Sequence, residues 1–108
     1  MDEYSPNGIF QALETAAEAW STAQLEADQL EKSGEILLAK MMLEAKDKGN
    51  PVGMCKEIAR ARPEWETHIN GEVIARNRAD RAKAKYRNLQ AWSEAMRTEQ
   101  STMRTLAR

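Results

Sequence analysis

The sequence predicts an all-α protein: a long antiparallel helical hairpin with a short helix at the connecting end, dimerising into a helical bundle. Apolar residues recur at heptad spacing along most of the chain, as in helices that pack against other helices. Only five Gly and three Pro occur in 108 residues, and 42% of the residues are hydrophobic. This composition favours a folded chain over a disordered one.

The first predicted helix covers residues 6–48. Ser5 is a good N-cap and Pro6 suits the first helical position, while Gly49-Asn50-Pro51 supplies a C-terminal stop. Ser33-Gly34 is the expected place for a kink, and the sequence leaves open whether the helix continues through it. The seam of this helix, meaning the face expected to pack against another helix, consists of two heptad series. These are Leu13, Trp20, Ala27, Gly34 and Met41, and Ile9, Ala16, Ala23, Leu30, Leu37 and Glu44.

A short second helix is predicted over residues 54–61 and a long third helix over 63–103, within a single domain spanning 1–108. Pro63 disfavours helix at the residue before it and begins a new helix. The tail, residues 104–108, is expected to fray. The third helix has a seam interrupted by Glu72, Ser93 and Gln100, and its members are Trp65, His68, Ala75, Ala79, Ala82, Tyr86, Leu89, Met96 and Met103.

The expected core is built largely from alanine, which buries little area per side chain. A monomer of this size with such a core is marginal, and one face of a hairpin stays uncovered, so we expect a homo-oligomer, with a dimer favoured. The candidate self-association or partner face consists of Leu13, Trp20, Leu30, Leu37, Met41, Trp65, Tyr86, Leu89, Trp92 and Met96.

Charge is unevenly distributed along the chain. Residues 1–54 carry ten acids and four bases, and residues 55–108 carry seven acids and twelve bases, for a total of −1. The densest basic cluster, with an aromatic residue inside it, consists of Arg76, Arg78, Arg81, Lys83, Lys85, Tyr86 and Arg87. One interpretation is a stripe that binds single-stranded nucleic acid. The favoured one is pairing with Glu26, Asp28, Glu31 and Glu35 across the hairpin, which selects its antiparallel register.

Residues that would carry catalysis or bind a metal or cofactor are not apparent in the sequence. Cys55 and His68 are each the sole residue of their type, and no metal-ligand spacing or Gly-rich phosphate loop is present. We therefore expect no enzymatic activity and no cofactor. The polar N-terminus, the lone cysteine and the lack of long apolar stretches indicate a cytoplasmic protein without a membrane span.

Several short motifs resemble small helical proteins of tailed bacteriophages and prophages that often lie near early recombination or replication genes. The likeness covers about two thirds of the chain and rests on Leu38-Ala39-Lys40-Met41-Met42, Ile58 to Trp65, His68-Ile69-Asn70-Gly71, Trp92, Glu94, Arg97-Thr98 and Thr102-Met103-Arg104. The resemblance implies an accessory role in phage DNA metabolism within a bacterial host. No functional residue is implied.

Three functions are compatible with these observations. The leading hypothesis is a phage accessory protein that binds another phage or host protein, in recombination, replication or inhibition of a host factor. The second is binding of single-stranded nucleic acid through residues 76–87. The third is a scaffold or chaperone role in virion assembly.

Overall fold

The structure, a computed structural model, describes residues 6–107. Of the residues it describes, 94% are helical and none forms a strand. Three helices follow one another: α1 (Pro6–Asp47), α2 (Val52–Arg60) and α3 (Pro63–Ala107). This order of long, short and long helices is that of a helical hairpin and confirms the predicted all-α class.

Helix α1 ends in a hydrogen-bonded turn, as the Gly-Asn-Pro sequence predicts. Gly49 has a φ of 91°, which a residue without Cβ adopts at no steric cost, and its N–H donates to the carbonyl of Lys46 at 2.9 Å. The backbone and side-chain amides of Asn50 both donate to the carbonyl of Ala45, at 3.2 and 2.9 Å. These bonds satisfy carbonyls that the end of the helix would otherwise leave unpaired.

Helix boundaries differ modestly from the predicted ones. Helix α1 is continuous through Gly34, which the sequence had left open. Helix α2 begins two residues earlier than predicted, directly after Pro51. Helix α3 continues to Ala107, beyond its predicted end at residue 103, and the expected fraying of residues 104–108 stays a prediction. Ser5, the predicted N-cap, lies outside the described residues.

The chain divides into two compact units. The first comprises Met1–Thr22 with Ala79–Arg108, and the second comprises Ala23–Arg78. In the second unit, Glu26 of α1 contacts Arg78 of α3, while Glu44 of α1 contacts Arg62, the residue before α3. The two long helices therefore run antiparallel in this unit. The buried residues of this unit are Ala23, Ala27, Gly34, Met41, Ala45, Cys55, Ala59 and Ala75.

The core of the first unit is also built mainly from small side chains. Its buried residues are Ile9, Ala16, Ala79 and Ser93. Ser93 was predicted to interrupt the seam of the third helix, but it is buried within it, whereas Met103, predicted to belong to the seam, is exposed. None of the described side chains is both large and fully buried. The helices therefore pack mainly through the small side chains of alanine, serine and glycine. Larger side chains lie beside this contact and are half-buried.

Candidate interaction surfaces

Two members of the basic cluster form the ion pairs that the favoured interpretation predicts. Arg76 lies 3.0 Å from Glu31 and 3.8 Å from Asp28, and Arg78 lies 3.3 Å from Glu26. All these side chains are substantially exposed. Such pairs contribute about 0–1 kcal/mol each, so their effect is on pairing register more than on stability.

A further ion-pair cluster joins the end of α1 to the turn before α3. The guanidinium of Arg62 donates hydrogen bonds to the carboxylates of Glu44 and Glu64. The hydrogen bond to Glu44 is the largest influence that raises the pKa of Arg62 above its ordinary value, with Glu64 adding to it. The Arg62 guanidinium therefore keeps its positive charge between the two carboxylates.

The other bases of the cluster are in different surroundings. Lys83 lies over the ring of Trp20, 5.9 Å from its centroid, and is half-buried. Arg81, Lys85 and Arg87 are exposed, and among the residues that the structure describes none forms an ion pair with them. Internal pairing therefore neutralises the start of the cluster but not its continuation.

Tyr86, the aromatic residue inside the stripe that the sequence offered for nucleic-acid binding, packs inside the first unit. Its ring centroid lies 5.6 Å from that of Trp20, with the planes tilted by 36°, and it is half-buried. The indole N–H of Trp20 is itself buried with no hydrogen-bond acceptor among the described residues. These two aromatics therefore serve the packing of the unit rather than its surface.

Beside Arg81 and Lys85, the first unit has a shallow trough. One hollow of about 540 Å³ lies between the small side chains of α1 and the larger ones of α3, and an adjoining one of about 480 Å³ lies along α3. The two share Lys85 and Leu89. No carboxylate lines either hollow, so the trough is neutral on one wall and basic on the other. The first hollow is lined by Gly8, Gln11, Ala12, Thr15, Ala16, Ala19, Ala82, Lys85, Leu89 and Trp92.

Cys55 and His68 both have packing roles in the second unit. The thiol of Cys55 is buried and lies 3.3 Å from the carbonyl of Pro51. The Nε2 atom of His68 lies 2.9 Å from the carbonyl oxygen of Leu30, and its ring stacks against Trp65 at 5.9 Å. Among residues 6–107, no group of three or more His, Cys, Asp or Glu side chains is arranged to hold a metal ion.

The predicted self-association face is mostly occupied within the chain. Nine of its ten residues are buried or half-buried, and Trp92 alone of that set is classed as exposed. The large apolar side chains that remain exposed are mostly others: Phe10, Leu25, Ile36, Leu43, Val52, Met54, Val73, Ile74, Met103 and Leu106.

Three of these exposed residues form a stripe on α1, here called the outer stripe: Leu25, Ile36 and Leu43. Their spacings of eleven and seven residues place them on one side of the helix at about 100° per residue, opposite the buried seam. Each has close to 60% of its surface exposed. The outer stripe was not identified from the sequence.

A pocket adjoins one end of the outer stripe. It has a volume of about 380 Å³, and four of its lining residues come from α1, namely Ala39, Met42, Leu43 and Lys46. Val52 and Cys55 of α2 complete it, and its accessible wall is apolar throughout. The α1 residues have the i, i+3, i+4, i+7 spacing of the hole that receives one side chain in coiled-coil packing.

Comparison with known proteins identified no relative. No family model, curated protein or solved structure matches the chain. Within the described range, no helix is both long and apolar enough to cross a membrane.

Proposed function

We propose that this chain is a non-enzymatic protein-binding module and that the outer stripe is its contact surface. The observation that supports this most is the exposure of Leu25, Ile36 and Leu43 on a helix whose opposite face already supplies the core. A helix that only covers a core is polar on its solvent side. Large apolar side chains aligned along one face of a helix are the pattern of a helix that packs against another helix.

The biological setting follows from the resemblance alone. The motifs between Leu38 and Arg104 resemble phage and prophage proteins, so the proposed role is that of a phage accessory protein in a bacterial host. Its partner would then be a recombination or replication protein, or a host factor that it inhibits. A scaffold role in virion assembly would use the same kind of surface and differs in its partner.

Site-specific photo-crosslinking tests the proposed contact surface in cells. A photoreactive amino acid at position 36 should yield covalent adducts with a protein. The same residue at Ala95, exposed on α3 in the other unit, is the control and should yield few. Equal yields at both positions, or none at position 36, would contradict the proposal.

A second candidate function is binding of single-stranded nucleic acid along the trough of the first unit. It is supported by Arg81 and Lys85, which are exposed, four residues apart on one face of α3, and beside a hollow without carboxylates. Cations spaced along a groove bind phosphates with an affinity that falls steeply with salt. The internally paired Arg76 and Arg78 are not part of this site.

Binding of a labelled oligonucleotide at low and moderate salt tests the second candidate. Changing Arg81 and Lys85 together to Gln should abolish most of the binding and flatten its salt dependence. The matched control changes Arg87 and Arg104 to Gln, which removes the same charge elsewhere on α3. If both double variants lose affinity equally, the attraction is a property of net charge and not of the trough.

A further inference from the structure

We infer that the outer stripe of α1 pairs with the outer stripe of a second copy of this chain, in antiparallel orientation, with residue n of one copy facing residue 68−n of the other. This rests on the proposed function and names the partner that the surface fits. The pocket beside Leu43 fixes the register. Its four α1 residues centre between positions 42 and 43, so the facing residue of an antiparallel copy lies between positions 25 and 26.

Leu25 is the side chain that this register brings to the pocket. It is 58% exposed and points away from the core of its own chain. In coiled coils each apolar knob enters a hole formed by four residues of the facing helix, and the pocket supplies such a hole. By the two-fold symmetry of a dimer of identical chains, the same contact forms twice, once at each end of the paired segment.

The layers between the two ends are compatible with the same register. Gln29 faces Ala39 of the other copy, where the small side chain leaves room for the longer one. Lys32 faces Ile36, so the aliphatic stem of the lysine can cover the isoleucine while its ammonium group reaches water. All of these positions except Leu25, Ile36 and Leu43 are small or polar, so the two ends supply most of the apolar contact.

Charges beside the stripe favour this orientation over the parallel one. In the antiparallel register, Lys32 lies near Glu35 of the other copy, and this contact occurs twice. The two Glu35 side chains flank the symmetry axis, where the two Lys32 side chains offset their repulsion. A parallel pair would bring Lys32 against Lys32 within the contact, which leaves two like charges partly desolvated.

The contact is small, because the paired segment from position 25 to 43 spans only about 27 Å of helix. We therefore expect a reversible dimer whose population rises with protein concentration. Sedimentation equilibrium of the purified full chain over the micromolar range should show the average mass rising from one chain toward two.

Two variants of the stripe and one control locate the contact. Leu25→Glu and Leu43→Glu should each weaken association by at least tenfold, because each places a charge in the apolar contact at both ends. Val73→Glu is the control, since Val73 is as exposed as Leu43 and lies on α3 of the same unit. It should leave association unchanged, and the helical circular dichroism of all three should match that of the parent.

Disulfide trapping distinguishes the orientations. Gln29→Cys and Ala39→Cys chains, mixed and oxidised, should form a disulfide-linked pair, because these positions face each other only in the antiparallel register. Neither variant alone should form one, since like positions then lie about 15 Å apart along the helix, beyond disulfide reach. The native Cys55 is buried and does not compete.

Each of three results would overturn the inference. These are a monomer at the highest concentration, a linked dimer from Gln29→Cys alone, and an oligomer that Leu25→Glu does not weaken. None of them refutes the proposed function, which fails separately if the photoreactive residue at position 36 captures nothing in cells. A monomeric chain that still crosslinks there to a different protein would retain the function and refute the self-pairing.

Discussion

Gly34 and His68 are in such close contact that glycine is required for the observed position of the imidazole. A Cβ atom on Gly34 would lie 2.5 Å from Nε2 of His68 and 2.9 Å from its Cδ2. The same Nε2 lies 2.9 Å from the carbonyl oxygen of Leu30, one turn earlier on α1. Gly34 therefore gives clearance to a side chain from α3, and it does not interrupt α1.

Substitution of Gly34 by Ala should destabilise the protein although alanine is the better helix former. The gain in helix propensity is about 1 kcal/mol, whereas forcing extra volume into a packed contact costs about 1–3 kcal/mol. The net result should be a lower midpoint in urea denaturation at fixed protein concentration. Loss of the His68 contact to Leu30 would add to the effect.

Gly71→Ala is the matched control, because it adds the same methyl group within α3 where nothing lies within 4 Å of the new Cβ. It should stabilise the chain by up to about 1 kcal/mol. In a His68→Ala background, Gly34→Ala should likewise become neutral or stabilising, because the obstructing ring is gone. A cost that persists in that background would show that the clash is not the cause.

Arg76 and Glu31 should couple weakly, in keeping with their exposure. A double-mutant cycle with Arg76→Gln and Glu31→Gln should give a coupling free energy of at most about 1 kcal/mol, reduced by added salt. The exchanged pair, Arg76→Glu with Glu31→Arg, should recover most of the stability lost by either reversal alone. Failure of the exchange to recover it would argue against a role for this pair in setting the register.

Trp20→Phe should be well tolerated, which is unusual for a tryptophan within a packing contact. The indole N–H of Trp20 is buried without an acceptor, and such a donor costs about 1–3 kcal/mol. Phenylalanine removes this donor and keeps an aromatic ring against Tyr86, so we expect a change within about 1 kcal/mol in thermal or urea unfolding. Trp20→Ala, which also removes the ring, should be clearly more destabilising than Trp20→Phe, because it leaves the space beside Tyr86 unfilled.

The fold was predictable because its signals are local. Pro63 and the Gly-Asn-Pro turn mark helix ends through backbone restrictions that act within a few residues, and heptad spacing identifies the buried face. Ser93 was misplaced because its burial depends on a close helix approach, which the pattern of apolar residues does not reveal.

The candidate surfaces were less predictable, because seam residues serve equally well inside one chain or between chains. Leu30 and Leu37 were assigned to a partner contact, yet their exposure shows that the chain covers much of their surface itself. Which bases are neutralised also depends on three-dimensional neighbours: Arg78 reaches Glu26, whereas Arg81 has no ion pair among the described residues. The outer stripe has only three large apolar residues, separated by Gln29, Lys32 and Ala39, which is too sparse a pattern to indicate a second apolar face.

Ala27→Leu should be among the most damaging single changes, because α1 packs through its smallest side chains. Ala27 has no exposed surface, and the described core holds no large, fully buried side chain that could move aside. Leucine and alanine have similar helix propensities, so the change tests packing alone. We expect a loss of about 1–3 kcal/mol in chemical denaturation.

Ala95→Leu, on the exposed surface of α3, should change stability by less than about 0.5 kcal/mol. If Ala27→Leu were equally harmless, the helices would not approach closely at this point, and the account of the core as an alanine contact would be wrong.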